Sequence, residues 1–90
     1  MYEIAFSKSF KKDYKRVKKR GYSLFLLKEV FDRLIKKGCV ESKFNPHKLS
    51  GNYAGCWECH IQPDWLLIWE VEEDSKLIKL IATGTHSDLF

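Results

Sequence analysis

Trp57-Glu58-Cys59-His60-Ile61-Gln62-Pro63-Asp64-Trp65-Leu66-Leu67-Ile68-Trp69-Glu70-Val71 is the stretch from which the fold can be read. Gln62-Pro63-Asp64-Trp65 suits a tight turn, because proline presets its φ at the second turn position. On either side the pattern is strand-like. Trp57, Cys59 and Ile61 share one parity, and Glu58 and His60 share the other. The apolar set should face a core, leaving Glu58 and His60 on the open side with Asp64 close by in the turn. Trp65–Trp69 is apolar on both parities, as expected of a central strand covered on both faces. Strands are expected over Gly55–Ile61 and Trp65–Val71, with a third over Leu77–Thr83 after the reversal Glu72-Glu73-Asp74-Ser75.

Upstream the periodicity changes. Tyr2 to Phe6 alternates well enough for a short opening strand. Ser7 can cap a helix over residues 8–20, in which Phe10, Tyr14 and Val17 recur at helical spacing. Gly21 ends it. A second helix runs from about Ser23 to Lys37, with Leu24, Leu27, Val30, Phe31, Leu34 and Ile35 as its buried stripe and Gly38 as its close. Between Val40 and Gly55 the pattern dissolves around Asn45-Pro46 and Ser50-Gly51-Asn52, so His47 and Lys48 belong to a loop or a very short strand. The order β-α-α-β-β-β implies a single α+β domain over residues 1–90, with a two-helix hairpin packed on one face of a mainly antiparallel sheet.

Ninety residues, 44% hydrophobic and 31% charged, suit one compact domain with a modest core and exclude wholesale disorder. No apolar run is long enough to span a bilayer and the N-terminus lacks a signal-like apolar stretch, so a cytoplasmic protein with no membrane partner is expected. Charge is lopsided. Residues 1–48 carry 14 Lys/Arg against 5 Asp/Glu, and residues 49–90 carry 2 against 7. A basic half points to a polyanion or an acidic protein as partner, unless it is only a solvated lysine face.

Cys56-Trp57-Glu58-Cys59-His60 fits the c-type haem attachment pattern and contains a redox-type Cys-x-x-Cys. Geometry opposes both uses. On a strand, residues three apart point to opposite faces, so the two sulfurs cannot converge on one ligand. Cys39, Cys56 and Cys59 are therefore expected as reduced, partly buried thiols, and neither metal nor cofactor is expected.

Histidines carry the chemistry that remains. His47, His60 and His86 all lie in the C-terminal half, and imidazole exchanges protons near neutral pH. Each alone is unremarkable: a loop residue, a strand residue and a tail residue. The blocks HKLSGNYAGCWECHIQPDW (47–65) and GTHSDLF (84–90), taken together, resemble the YafQ branch of the RelE/ParE toxin superfamily. The resemblance spans nearly the whole chain, and its specific part is His-x-x-Pro-Asp-Trp followed by Gly-Thr-His-x-x-Leu-Phe. The Cys-x-x-Cys run is not part of that pattern.

What the resemblance implies is the toxin of a type II toxin–antitoxin pair, a ribosome-associated endoribonuclease that cleaves mRNA and is held inactive by a cognate antitoxin. Operator DNA would be met only through the complex with the antitoxin. His47, His60, Asp64, His86 and Phe90 match the family's functional positions, and so does Trp65. His86 is then expected as the general acid, His60 and Asp64 as base and orienting group, and His47 with Lys48 as the phosphate-binding pair. Glu58 and Trp65 join Lys48 among the RNA-contacting residues. Phe90 stacks on a base. RNA supplies its own nucleophile in the 2′-hydroxyl, so the products should be a 5′-hydroxyl and a 2′,3′-cyclic or 3′-phosphate. Lys11, Lys12, Lys15, Lys18, Lys19 and Arg20 could meet ribosomal RNA phosphates, or an antitoxin segment that folds on binding. Two rival readings differ in class: a toxin of the same fold that inhibits DNA gyrase by binding, and a non-enzymatic RNA-binding module.

Overall fold

The computed structural model describes residues 1–90. The chain opens with strand β1 (Glu3–Phe6), forms helices α1 (Lys8–Lys19) and α2 (Leu24–Lys37), and passes through a 3-10 turn at Ser42–Phe44. Strand β2 (His47–Lys48) and a second 3-10 turn (Gly51–Tyr53) precede β3 (Trp57–Gln62), β4 (Trp65–Glu72), β5 (Leu77–Gly84) and a short helix α3 (His86–Leu89).

Local chemistry sets these boundaries. Ser7 Oγ accepts from Phe10 N–H at 3.0 Å and Ser23 Oγ from Leu26 N–H at 3.4 Å, each satisfying a donor the first helical turn leaves unpaired. Gly38 ends α2 in the left-handed region at φ 73°, pressed against the ring of Tyr2, where a β-carbon would collide.

The five strands form one sheet in the order β1-β5-β4-β3-β2. All pairings are antiparallel except β1 with β5, which is parallel because the helical hairpin carries the chain back across the sheet. A bulge between His60 and Gln62 bends β3 where it enters the turn.

Both helices pack on one face. Phe10 and Val17 of α1 and Leu27, Val30 and Leu34 of α2 meet Cys59, Ile61, Trp65, Leu67, Trp69, Ile78 and Leu80 of the sheet. Tyr14, Leu24, Phe31 and Ile35, expected in the buried stripes, are only partly covered. The opposite face is not open. Cys56, Ile68 and Ala82 form a small second cluster there, roofed by Leu49, Tyr53 and Leu89 from the connecting loop and α3. Cys56 and Cys59 thus belong to opposite faces, as strand parity requires. Burial pushes the Cys59 thiol up to about 12 and the Cys56 thiol upward as well, so neither is a ready thiolate. Cys39, expected to be partly buried, is exposed.

Candidate active site

Three segments distant in sequence bring the histidines into a row. His47 comes from β2, His60 from β3 and His86 from the first turn of α3. His60 stands in the middle, its ring centroid 6.3 Å from that of His47 and 5.7 Å from that of His86. The register His47↔Glu58 sets one end. The other end is set by the turn Pro63–Asp64, which lies against the start of α3.

Each end has its own carboxylate. Asp64 Oδ1 lies 2.6 Å from His86 Nδ1 and also accepts from the His86 backbone N–H at 3.1 Å. Those two bonds hold the Asp64 carboxyl below the usual carboxylate range. They also fix the ring: Nδ1 faces the carboxylate, leaving Nε2 as the atom free to meet a substrate. Asp64 was expected beside His60, and this pairing corrects that. His60 Nδ1 instead faces the Pro63 carbonyl at 3.3 Å, because the bulge turns the ring toward the backbone of the hairpin.

At the opposite end stands Glu58. Its Oε1 is 3.1 Å from His47 Nε2 and 3.7 Å from His60 Nε2. His47 Nδ1 faces the Asn45 carbonyl at 3.1 Å. A carbonyl only accepts, so both Nδ1 atoms carry hydrogen and both Nε2 atoms are left to Glu58. Protonating either ring there would set a positive charge against this carboxylate. Glu58 is only 4% exposed and its Oε2 has no partner within the chain. Its expected place on the sheet face with His60 is correct. Its expected contact with RNA is not, because the side chain is buried with its Oε1 turned to the two histidines.

Two further expectations are corrected. Lys48 was expected to assist His47 at a phosphate. Neighbours on a strand point to opposite faces, and Lys48 pairs with Trp57, its ammonium 5.7 Å from that indole centroid. Trp65 was expected beside RNA, but it is 1% exposed and its Nε1–H donates to Thr83 Oγ1 at 2.9 Å. It belongs to the scaffold.

Phe90 is 65% exposed and meets Tyr53 edge-on, ring centroids 5.6 Å apart. Tyr53 had no signal in the sequence, lying in a patternless loop. The anchoring of α3 was also missed. Thr85 and Asp88 form a reciprocal capping box, with Thr85 N–H on Asp88 Oδ2 at 2.9 Å and Asp88 N–H on Thr85 Oγ1 at 3.1 Å. Arg20 clasps the same Asp88 with bonds of 2.6 and 3.1 Å, which takes it out of the set expected to meet ribosomal RNA. Gly84, at φ 155°, lets this come together: a β-carbon there would lie 2.8 Å from Asp88 Oδ2.

Chemically, the row offers two neighbouring imidazoles, one backed by Asp64 and one beside Glu58, with an exposed aromatic ring four residues beyond His86. That suits two-sided proton transfer on a small anionic group. No three of the His, Cys, Asp and Glu side chains are grouped to hold a metal ion.

Comparison with known proteins gives concordant results. A family model described as "Bacterial toxin of type II toxin-antitoxin system, YafQ" matches residues 2–90. The mRNA interferase toxin YafQ of Escherichia coli strain K12 is 33% identical over 89 residues, covering 98% of this chain and 95% of that protein. A crystal structure of a metal-bound toxin from Helicobacter pylori superposes with a TM-score of 0.90 at 36% identity, covering 100% of both chains. The E. coli DinJ-YafQ complex gives 0.88 at 32% identity, covering 100% of this chain and 99% of that one.

Proposed function

The chain belongs to the YafQ family of bacterial type II toxins, and from that membership we propose that it is an mRNA interferase, an endoribonuclease whose own side chains carry the proton transfers. What carries the mechanistic reading is His86, bound to Asp64 at 2.6 Å, facing His60 across 5.7 Å. One phosphodiester can reach both rings.

The 2′-hydroxyl of RNA attacks the adjacent phosphorus, the bond to the 5′-oxygen breaks, and a 2′,3′-cyclic phosphate and a 5′-hydroxyl result. His60 takes the 2′ proton, with Glu58 stabilising the imidazolium formed. His86 protonates the departing 5′-oxygen through Nε2 while Asp64 holds its ring in place. His47 meets the phosphoryl oxygens. Each positioned acid or base contributes about 10²–10⁴-fold. Phe90 stacks on a neighbouring base, a contact worth roughly 1–3 kcal/mol. No step is routed through a metal, since the 2′-hydroxyl is the nucleophile and imidazoles move both protons.

The E. coli relative is paired with DinJ in its complex. The corresponding partner here is a cognate antitoxin, through which operator DNA is contacted. The mRNA is met on the ribosome, where the exposed Lys11, Lys12, Lys15, Lys18 and Lys19 of α1 face ribosomal RNA phosphates. Ribosomes and the mRNA they read lie in the cytoplasm, and these contacts belong there with them; no helix is long and apolar enough to cross a membrane.

The test is induced expression of the wild type against His86→Ala, reading growth and mapping RNA ends. Growth arrest with new 5′-hydroxyl ends for the wild type only is expected. Arrest by both proteins without new ends would replace this reading with a binding poison of the gyrase-inhibiting kind.

A further inference from the structure

Beside His60 a groove of about 460 Å³ opens between α2, the turn Ser42–Phe44 and the β3–β4 hairpin. His60 is one of the residues that line it, so the groove adjoins the histidine row. Its volume falls in the range of roughly 300–1,000 Å³ typical of small-ligand sites. Leu26 and Phe44 supply apolar surface, and Glu29, Lys43, Asn45 and Gln62 supply polar groups.

Glu29 lies 3.6 Å from the Arg33 guanidinium and the Lys43 ammonium sits 5.1 Å from the Phe44 ring centroid, whereas the amides of Asn45 and Gln62 have no side-chain partner. The bond that Asn45 makes to His47 uses its backbone carbonyl, which leaves the side-chain amide for a ligand. Gln62 is exposed at the end of β3, two residues beyond His60. A primary amide offers donors and an acceptor together, which is what the edge of a nucleobase requires. Lys43 offers a cation to a phosphate, while the Glu29 carboxylate repels one and accepts hydrogen bonds. A polynucleotide backbone is thereby directed to the Lys43 side, with its base turned inward. Unstacked bases of single-stranded RNA are read in this manner, by hydrogen bonds on their edges and flat contacts on their faces.

We propose that this groove is the subsite for the nucleotide next to the cut bond, and that Asn45 and Gln62 select its base. The inference rests on the nuclease reading above and adds to it the residues that choose where the cut falls. The histidine row handles the phosphate, which is the same in every sequence. The groove handles the base, which is not.

The test is a cell-free translation reaction programmed with mRNAs randomised over a short window, with 5′-hydroxyl ends sequenced. Wild type is compared with Asn45→Gly, Gln62→Ala and the double variant. Glycine accepts the left-handed backbone found at Asn45, φ 51°, so that substitution removes the amide without straining the turn that presents His47. The wild type should show a base bias at a position flanking the cut. The double variant should flatten that position about tenfold, as expected from losing two hydrogen bonds, and leave bias elsewhere intact. A flanking bias that survives in the double variant, or is absent from the wild type, overturns the subsite while the nuclease stands. A wild type that generates no 5′-hydroxyl ends removes the nuclease reading and the subsite with it.

Discussion

Arg20 and Asp88 are 68 residues apart in sequence and joined by two hydrogen bonds of 2.6 and 3.1 Å. This clasp ties the end of α1 to the short helix that presents His86 and Phe90. An exposed ion pair contributes little to stability, and α3 is also held by the Asp64–His86 bonds and by Leu89 over the second cluster, so the clasp matters more for the placing of α3 than for the fold. Arg20→Ala should therefore lower RNA cleavage by more than its melting temperature would suggest. Hydrogen exchange confined to residues 85–90 would locate the loss.

Asp64 gives a titration with a definite sign. Its carboxyl is held low by the ring and backbone of His86. A depressed carboxyl contributes its stabilisation above its unfolded pKa, about 3.9, and loses it as pH falls through the lower folded value. The Asp64–His86 contact should persist in mildly acidic solution, with the carboxyl resonance titrating below the ordinary aspartate range. In His86→Ala that midpoint should rise toward the ordinary range.

Glu58 should separate stability from activity. A buried carboxylate with an unpartnered oxygen is costly to maintain. Glu58→Gln keeps the shape and removes the charge, so its melting temperature should equal or exceed that of the wild type. Cleavage should fall by about 10²-fold, on the scale of one acid–base group. Calorimetry and single-turnover cleavage on the same preparation would check both.

Trp65 should behave as scaffold. Trp65→Phe removes the donor to Thr83 Oγ1 and should cost about 1–3 kcal/mol, with each 1 kcal/mol lowering the melting temperature by about 4–8 °C. Affinity for an uncleavable 2′-deoxy oligonucleotide, measured well below the transition, should stay unchanged.

Chelation should leave the reaction intact. Imidazoles move both protons in the proposed chemistry, so cleavage in excess EDTA should match the untreated rate within about twofold, far less than one acid–base group provides. Loss of activity restored by a single added metal would remove the mechanism.

Much of the fold was legible because periodicity and capping act locally. Ser7, Ser23 and Gly38 sit where they stop or start helices, and the strand boundaries fall within two residues of those expected. Parity put Glu58 and His60 on one face and separated Cys56 from Cys59. What lay outside its reach was long-range. Nothing in the spacing says that Asp64 reaches His86 rather than His60, because that depends on where α3 lands. At four residues, α3 is too short for a periodic signal, and only the Thr85–Asp88 capping box betrays it. The burial of Glu58 beside His47 and the turning of Lys48 away from His47 likewise depend on β2 pairing with β3, across a loop without pattern.

The parallel pairing of β1 with β5 has a bearing on timing. In the sheet β1 has no neighbour but β5, so residues made first wait for a strand made near the end. The same late strand leads directly into His86. A nascent chain that has emerged only as far as β4 has His47, Glu58, His60 and Asp64 but neither His86 nor Phe90. On the proposed mechanism, the complete row of groups exists only once the last strand and α3 are in place, so cleavage belongs to finished chains alone.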